Sequence, residues 1–310
     1  LRDTVGDRIF NVGSASDVSL RDLTLTRGGG SPLGGGLLNL GGILNIENSR
    51  FLGNVATEGG AIDTRLGGRL TILGTEFLDN TATTGSGGAV LLDNGSVAKI
   101  GGNTLFRDNA SLSDDGGGAA IQLGSSAIIG NTVFEGNSAA SDGGGVATQS
   151  GSAATIGEGS RFINNTADDD GGGIYFSGGA SGLIEDTQIS NNSAVDGGGG
   201  LYVSLNSRVD VKGTTLSDNQ ATDGGGLRVR SSAVTVSEDS DFLRNTASNE
   251  GGGVYADNGD VVLQDVNIAD NRATLNGGGI AQDAGTLTLN TVDIRGNQVD
   301  GNGGGLSLQD

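Results

Sequence analysis

Three tyrosines and one arginine are the residues whose types and spacing could best do chemistry. Tyr175, Tyr202, Arg228 and Tyr255 follow one another at intervals of 27, 26 and 27 residues, and Arg230 lies beside Arg228. The series contains every tyrosine of the protein. It predicts an outward-facing file in which aromatic rings beside arginines stack against sugar rings or hold an acidic glycan. The alternative is that the file covers a flat sheet through cross-strand stacking and cation–π contacts.

A second series consists of acidic residues that stand directly before a glycine triplet. Its members are Glu58, Asp115, Asp142, Asp170, Asp223 and Glu250, with Gly197, Asn276 and Asn302 interrupting. Like charges about 5 Å apart repel by roughly 1 kcal/mol even in water. Calcium takes about six to eight oxygen ligands and would relieve that repulsion, so it is a candidate ligand, above all at Asp142, Asp170, Asp223 and Glu250. The alternative is solvated acids that splay apart, because the pattern differs from the nonapeptide that wraps calcium in toxin repeats.

Catalysis has little support in the residue types. Histidine and cysteine are both absent, which removes Ser-His-Asp triads, cysteine nucleophiles and ordinary zinc sites. Two routes remain: paired carboxylates could hydrolyse a glycoside, or calcium with an arginine base could eliminate across a uronate. No pair of acids stands out from the repeating background, and the spacing leaves little room for loops that form a pocket. We therefore expect no enzyme and no required cofactor, with lyase-like activity as the minor alternative.

The elements that must position these residues come from a repeat, exemplified by Phe162–Tyr175, which reads F-I-N-N-T-A-D-D-D-G-G-G-I-Y. Its asparagine recurs at gaps of 26 to 29 residues. Self-similarity at such a period indicates a solenoid. The recurring asparagines are Asn54, Asn80, Asn109, Asn137, Asn165, Asn192, Asn219, Asn245, Asn271 and Asn297.

Short, alternating, β-branched segments fill the rest of each repeat. Examples are Val209-Asp210-Val211 and Val234-Thr235-Val236, and they carry the signature of strands. Three such strands per repeat predict an all-β fold, a right-handed parallel β-helix of about eleven three-stranded coils. Residues 1–310 are predicted to form one β-helix domain, with an irregular region at 1–40 and regular repeats over 41–310. Because the chain stops inside the first strand of a coil, we expect either a longer parent chain or end-to-end self-association.

The positions at which the same residue type recurs in each repeat are expected to have structural roles. Phe51, Phe77 and Phe106 belong to one interior file, with a branched apolar residue after each triplet in another. The asparagine file is predicted to occupy a left-handed turn and to bond by its amide to the asparagine of the next coil. Each triplet is predicted to hold backbone angles closed to other residues or to let chain segments approach closely.

The charge balance argues against one class of partner, nucleic acid. The formal net charge is −20, from 17 basic and 37 acidic residues, and such a surface repels nucleic acid. No window approaches the length of an apolar membrane span. Glycans or a host surface remain candidate partners of an extracellular or cell-surface protein.

The motifs resemble those of a known group of repeat proteins. Phe51-Leu52-Gly53-Asn54 with Gly59-Gly60-Ala61-Ile62, and Phe77-Leu78-Asp79-Asn80 with Gly87-Gly88-Ala89-Val90, resemble the passenger domains of polymorphic membrane proteins and autotransporter-type β-helix repeat proteins. The resemblance implies a secreted or cell-surface adhesin or fibre module and no particular ligand. We therefore expect a non-enzymatic structural or adhesive module; the alternative is a carbohydrate-binding or polysaccharide-lyase-like β-helix.

Overall fold

The chain is built from strands and tight turns in a computed structural model that describes residues 7–157 and 159–309. Residues 1–6 of the irregular N-terminal region, Glu158 and Asp310 lie outside the described residues. No helix in the described part is long and apolar enough to cross a membrane. The chain divides into two compact units, Leu1–Thr155 and Ile156–Asp310, which are described separately below. The prediction of one domain over residues 1–310 stays a prediction.

The first unit contains twenty-one strands, the last of which, β21, has its final two residues in the second unit. In chain order they are β1 (Phe10–Val12), β2 (Asp17–Arg21), β3 (Thr24–Thr26), β4 (Leu37–Leu40), β5 (Ile43–Glu47), β6 (Arg50–Leu52), β7 (Val55–Ala56), β8 (Ile62–Arg65), β9 (Arg69–Leu73), β10 (Glu76–Leu78), β11 (Thr81–Ala82), β12 (Val90–Leu92), β13 (Val97–Gly101), β14 (Thr104–Arg107), β15 (Ala110–Ser111), β16 (Ala119–Ile121), β17 (Ser126–Gly130), β18 (Thr132–Glu135), β19 (Ser138–Ala139), β20 (Val146–Thr148) and β21 (Ala153–Gly157).

The second unit continues the same order. Its strands are β22 (Arg161–Ile163), β23 (Thr166–Ala167), β24 (Ile174–Phe176), β25 (Ser181–Glu185), β26 (Gln188–Ser190), β27 (Ser193–Ala194), β28 (Leu201–Ser204), β29 (Arg208–Lys212), β30 (Thr215–Ser217), β31 (Gln220–Ala221), β32 (Leu227–Arg230), β33 (Ala233–Ser237), β34 (Ser240–Leu243), β35 (Thr246–Ala247), β36 (Val254–Ala269), β37 (Arg272–Ala273), β38 (Ile280–Arg295), β39 (Gln298–Val299) and β40 (Leu306–Gln309).

Each strand pairs in parallel with the equivalent strand one turn later. In the first unit, Phe51 of β6 is in register with Phe77 of β10, which in turn is in register with Phe106 of β14. In the second unit, Ile174 of β24 is in register with Leu201 of β28, and Leu201 with Leu227 of β32. This pairing defines a parallel β-solenoid in each unit. The predicted all-β solenoid of about eleven turns is confirmed.

The repeat contains more strand than the sequence predicted. After each triplet come a first, a second and a third strand, as expected, but a two-residue strand also follows the recurring asparagine, as in β7 and β11. These short strands pair in parallel as well. In β36 and β38 the first three strands merge into continuous strands of 16 residues.

Stacked aromatic rings fill the interior of the first unit. The rings of Phe51, Phe77, Phe106 and Phe134 lie 4.5 to 5.0 Å apart between successive centroids and are within 14° of parallel. All four side chains are fully buried. Each buried phenylalanine contributes roughly 2 to 3 kcal/mol of apolar burial, so this file is a main source of stability.

The recurring asparagines form a hydrogen-bonded ladder, as predicted. Within the first unit, Asn54 Nδ2 donates to Asn80 Oδ1 at 2.9 Å, and Asn80 Nδ2 donates to Asn109 Oδ1 at 2.9 Å. The prediction that the ladder asparagines occupy the left-handed turn is wrong: the left-handed residue is the one before, such as Asp79 (φ 53°) or Asp108 (φ 55°). The turn thereby directs the asparagine side chain inward, where its amide satisfies buried backbone groups.

Both predicted roles of the glycine triplet are confirmed, at different positions. The first glycine has a positive φ, for example 75° at Gly87 and 69° at Gly116. The second lies against the neighbouring turn: a Cβ on Gly88 would stand 2.6 Å from the carbonyl carbon of Ala110. The third accepts alanine, as Ala61 and Ala89 show.

Candidate functional site

The tyrosine and arginine series occupies one position of the repeat, the second residue of the first strand. In the second unit, Tyr175 is in register with Tyr202, Tyr202 with Arg228, and Arg228 with Tyr255. The strands β24, β28, β32 and β36 therefore bring the four residues together in a single file. The predicted alignment is confirmed.

The file is not the exposed aromatic shelf that the sequence predicted. Tyr175, Tyr202 and Tyr255 are only 7%, 3% and 6% exposed. The turn before the first strand packs against the tyrosine side chain. At Tyr202 the approach is so close that a Cβ on Gly198 would stand 2.7 Å from the tyrosine Cβ. Alternation along a strand predicts which residues point outward, but it carries no information about a turn that covers them.

Arg228 lies between two tyrosine rings. Its guanidinium carbon is 5.6 Å from the ring centroid of Tyr202 and 5.4 Å from that of Tyr255. The rings of Tyr175 and Tyr202 stack with centroids 5.6 Å apart and planes 12° from parallel. The alternative interpretation of the file, stacking with cation–π contacts between neighbouring strands, is thus what the structure contains.

Asp223 of the acidic series and Asp257, which lies outside that series, supply counter-charges to the arginines of the file. Arg228 Nη1 is 3.6 Å from Asp223 Oδ2, and Arg228 Nη2 is 3.6 Å from Asp257 Oδ2. Arg230 Nε is 3.3 Å from Asp257 Oδ2. The sequence treated the aromatic and acidic series as separate candidates, but the turn brings Asp223 of the acidic series into a partly buried ion-pair cluster with Arg228 of the aromatic file.

Gly197 explains an interruption in the acidic series. It is bridged in parallel to Asp170 on one side and to Asp223 on the other. A Cβ at Gly197 would stand 2.6 Å from Arg228 Nη1 and 3.0 Å from Asp170 Oδ1. No larger residue fits while Arg228 holds its place, so the glycine is the space that the guanidinium requires.

Burial shifts the ionisation of this cluster. It raises the pKa of Tyr202 to about 12, with the charge of Asp170 adding to the effect and Arg228 opposing it. Burial and neighbouring carboxylates also raise the pKa of Tyr255. The pKa of Asp170 rises to about 7, first through burial and next through the charge of Asp169, against the pull of Arg228. The neutral forms of these groups are favoured in the folded protein.

Replacing Arg228 with methionine is expected to raise the pKa of Tyr202 further. Methionine keeps the length of the side chain but removes the nearby cation that favours the phenolate. In the wild type, stability should fall as the pH rises from about 10 to about 12, because the unfolded chain releases the phenolic proton first. Ultraviolet titration of the phenolates, with circular dichroism recorded in parallel, measures both effects. Arg208→Met, at an exposed position of β29, serves as control; ionisation of Tyr202 near pH 10 in the folded protein would contradict the structure.

The candidate calcium ligands do not all serve one site. Asp142 lies in the first unit, where its backbone N–H donates to Asp115 Oδ1 at 2.9 Å. Asp223 Oδ1 accepts from Asn249 Nδ2 at 2.8 Å, and Glu250 Oε1 accepts from Gln309 Nε2 at 3.0 Å. In the second unit, amide hydrogen bonds and the Arg228 guanidinium thus already stabilise carboxylates that calcium was predicted to bind. Calcium binding stays a prediction.

A second buried ionic cluster, in the first unit, escaped the sequence analysis. Asp63 is fully buried, and Arg65 Nε donates to its Oδ1 at 2.8 Å. Arg65 Nη1 lies 3.4 Å from Asp93 Oδ2, and Arg65 Nη2 contacts Glu58. Burial raises the pKa of Asp63 to about 6, although Arg65 pulls it down. The available signal was a charged residue in an apolar file: the register partners of Asp63 are Leu38 and Leu91.

Asp63→Asn is expected to remove a pH dependence of stability. The pKa of Asp63 is about 6 when folded and about 3.8 in its ordinary state, so wild-type stability should fall as the pH rises from about 4 to about 6. The asparagine has no carboxyl group to ionise, and Arg65 retains Glu58 and Asp93 as partners. Urea unfolding at pH 4, 5, 6 and 7 checks this, with exposed Asp17→Asn as control. A slope unchanged in Asp63→Asn would refute the assignment.

Shallow grooves lie on the surface of the described residues of the second unit. One groove in the second unit, of about 530 Å³, is lined by polar residues that include Asn206, Arg208, Ser231 and Asp260. Another, of about 330 Å³, is lined mainly by aspartates. Both grooves are lined by the segments that connect one strand to the next in successive repeats.

A comparison with protein families agrees with this architecture. The family described as "Right handed beta helix region" matches residues 88–260 and 156–310. The chain therefore belongs to the right-handed β-helix family, and the predicted handedness is confirmed. No curated protein and no solved structure matches the chain. The finer resemblance to polymorphic membrane protein and autotransporter passenger domains stays a prediction.

Proposed function

We propose that the chain is a non-enzymatic structural or adhesive module of a secreted or cell-surface protein. The main observation behind this proposal is that the arginine and tyrosines of the file contact one another and neighbouring carboxylates within the chain. Arg228 pairs with Asp223 and Asp257 between two tyrosine rings. A catalytic or sugar-binding arginine would instead present its guanidinium to a ligand.

The asparagine ladder supports a load-bearing role. In the second unit, Asn219 Oδ1 accepts from both the backbone and the side chain of Asn192, at 3.0 Å each. Asn219 Nδ2 then donates to Asn245 Oδ1 at 3.0 Å. Such bonds tie each turn to the next along buried side chains, in addition to the backbone pairing. A stack fastened in this way resists separation of its turns.

Mechanical unfolding of single molecules tests this role. The full chain is held by its two ends in optical tweezers and extended at constant speed. A load-bearing solenoid should give discrete, cooperative unfolding events, and Asn219→Ala should unfold at a lower force than the wild type. Smooth extension at low force without discrete events would count against the proposal.

The alternative, a carbohydrate-binding or lyase-like β-helix, rests on the polar groove along Asn206, Arg208 and Ser231. Amide, hydroxyl and guanidinium groups are donors that recognise sugar hydroxyls and uronates. Incubation with acidic polysaccharides, with and without calcium, followed by assay of unsaturated uronate products, tests turnover. Calorimetric titration with oligouronates tests binding. Product formation or binding that is lost in Arg208→Ala would favour the alternative.

Calcium is the cofactor proposed for the acidic turns. It would add oxygen-ligand bonds where carboxylates crowd, and it would stabilise the native state by binding it alone. Thermal melting in calcium and in chelator checks this: a raised midpoint supports a site, and identical midpoints dispose of it.

A further inference from the structure

The polar groove of the second unit contains a cation and an anion that stand apart from each other. Arg208 of β29 is in register with Ala233 of β33, and Ala233 with Asp260 of β36. All three residues line the groove, which has a volume of about 530 Å³. Two strand spacings put the backbones of Arg208 and Asp260 about 10 Å apart. The short side chain of Ala233 leaves a gap between the two charges.

Both charged side chains are exposed, and neither forms an ion pair with another described residue. Asp210 lies on the same face of β29 as Arg208, yet the two are not within ion-pair distance. Thr286 Oγ1 donates to Asp260 Oδ1 at 2.6 Å, which leaves the carboxylate its charge. Arg230, by contrast, is held by an acid of the next turn. Arg208 and Asp260 are therefore open to a ligand.

Two buried hydroxyl groups of the same groove have hydrogens without an acceptor. Ser207 and Ser232 are only 2% and 9% exposed. Their Oγ atoms accept the backbone N–H groups of Ala180 and Ser207, at 3.1 Å each, but neither hydroxyl donates to any residue that the structure describes. At the same repeat position of the first unit, Ser96 Oγ donates to Asp93 O at 2.7 Å. Since buried polar groups normally find partners, the two serines offer donors to a ligand.

The neighbouring arginine distinguishes this groove from similar turns. Ser125 and Ser152 of the first unit also accept a backbone N–H without donating within the described ranges, but an uncharged residue follows each of them. Arg69 occupies the repeat position of Arg208 in the first unit, but the residue before it is a glycine, which has no hydroxyl. The groove therefore combines an unpaired guanidinium with free hydroxyl hydrogens.

The rest of the lining suits a ligand that is rich in hydroxyl groups. Three successive turns each add an exposed amide or hydroxyl, at Asn206, Ser231 and Asn258, and these groups both donate and accept. The lining residues include no aromatic side chain, and Ala233 is the single aliphatic one. The strands β29 and β33 already pair on both sides, so a peptide could not bind by adding a strand. A sugar chain meets these conditions.

We propose that this groove binds a zwitterionic oligosaccharide, with a carboxylate at Arg208 and a free amino group at Asp260. A guanidinium pairs with a carboxylate in bidentate geometry, and the serine hydroxyls donate to the same ligand. A polyanionic sugar fits less well, because it would bring further carboxylates towards Asp260 on a chain of net charge −20. The inference rests on the carbohydrate-binding alternative, to which it adds the class of ligand.

Calorimetric titration of the full chain with two matched hexasaccharides tests the ligand class. Both probes alternate glucuronate with glucosamine; one has free amino groups, and the other is N-acetylated, which removes the cations and keeps the carboxylates. The free-amine probe should bind, more weakly as salt rises, and acetylation should weaken binding about tenfold or more. Equal binding of the two probes, binding of neither, or equally tight binding of an alternating Lys-Glu hexapeptide overturns the proposal.

Variants of the chain locate the binding to this groove. Arg208→Ala and Asp260→Asn should each weaken binding of the free-amine probe about tenfold or more. Ala233→Glu keeps both charged residues but places a carboxylate beside Arg208, as Glu238 lies beside Lys212 one turn earlier, and should abolish binding. Arg69→Ala is the matched control and should change nothing. Thermal melting confirms that each variant is folded. An equal loss in Arg69→Ala, or full binding by folded Ala233→Glu, contradicts the assignment.

The same titrations separate this inference from the alternative function on which it rests. Binding of oligouronates without a preference for the free-amine probe would refute the zwitterionic ligand and leave a carbohydrate-binding β-helix standing. Failure of every saccharide to bind would refute both. Neither outcome bears on the mechanical test of the structural role, because that test requires no ligand.

Discussion

Asn219→Ala is expected to lower the free energy of unfolding by about 4 kcal/mol, since each buried polar group left without a partner costs about 1 to 3 kcal/mol. The substitution removes the acceptor of two bonds from Asn192, each 3.0 Å long. It also removes the donor of bonds to Ile189 O at 2.9 Å and Asn245 Oδ1 at 3.0 Å. Both neighbouring asparagines are themselves buried, so bulk water cannot replace the lost partners.

Urea unfolding followed by circular dichroism measures this effect. The matched control is Gln220→Ala, the next residue along the chain, whose side chain is exposed. It should change stability by less than about 0.5 kcal/mol, as surface substitutions usually do. If Asn219→Ala unfolds at the same urea concentration as this control, the ladder contributes no net stability and the load-bearing role loses its support.

Gly88→Ala is expected to lower the free energy of unfolding by about 3 kcal/mol or more. The added Cβ would lie 2.6 Å from the carbonyl carbon and 2.8 Å from the nitrogen of Ala110. These are backbone atoms of the next turn and cannot rotate away. The turn is also held in place, because the N–H of Gly88 donates to Gly116 O at 2.9 Å.

Gly95→Ala separates the effect of crowding from that of conformation. Gly95 has φ 73°, yet a Cβ there would meet nothing within 4 Å. Its cost should be that of the left-handed conformation alone, about 1 kcal/mol. Calorimetric melting of both variants provides the comparison. Equal losses would show that the second glycine is needed for its backbone angles and not for the close approach of the turns.

The same repeat position carries a covered charged residue in both units, fully buried at Asp63 and partly buried at Arg228. Asp63 in the first unit and Arg228 in the second each occupy the second residue of a first strand. Each is paired within its own repeat: Asp63 by Arg65 of the same strand, and Arg228 by Asp223 of the turn directly before its strand. Burial beneath the turn makes an unpaired charge costly at this position, and pairing is the available remedy. The ion pairs of both clusters therefore have a structural role that requires no ligand.

The sequence predicted the fold well because the same motif recurs many times at nearly constant spacing. The spacing of Asn54, Asn80 and Asn109 requires equivalent residues to lie above one another, and the amide bonds between them follow from that placement. The short strand after each asparagine was missed because two residues, such as Val55–Ala56, are too few to show a period. The left-handed residue was misplaced by one position because glycine, asparagine and aspartate all tolerate that conformation.

The candidate site was predicted only as a list of residues. The repeat correctly placed Tyr202 in register with Arg228, but the burial of Tyr202 and the partial burial of Arg228 depend on how the preceding turn folds back. The ion pair between Arg228 and Asp223 joins the first strand to the turn directly before it, and Gly197 of the preceding repeat leaves room for the guanidinium. Neither feature is periodic, so neither could be read from spacing.

By itself, the sequence determined the solenoid, its parallel register, its interior files and the asparagine ladder, because each depends on residues one period apart. Only the tertiary structure decided which outward residues are covered and which stay open. Coverage depends on the path of turns whose backbone angles vary from repeat to repeat. For that reason the tyrosine file proved buried, whereas Ile128 and Leu66 are exposed.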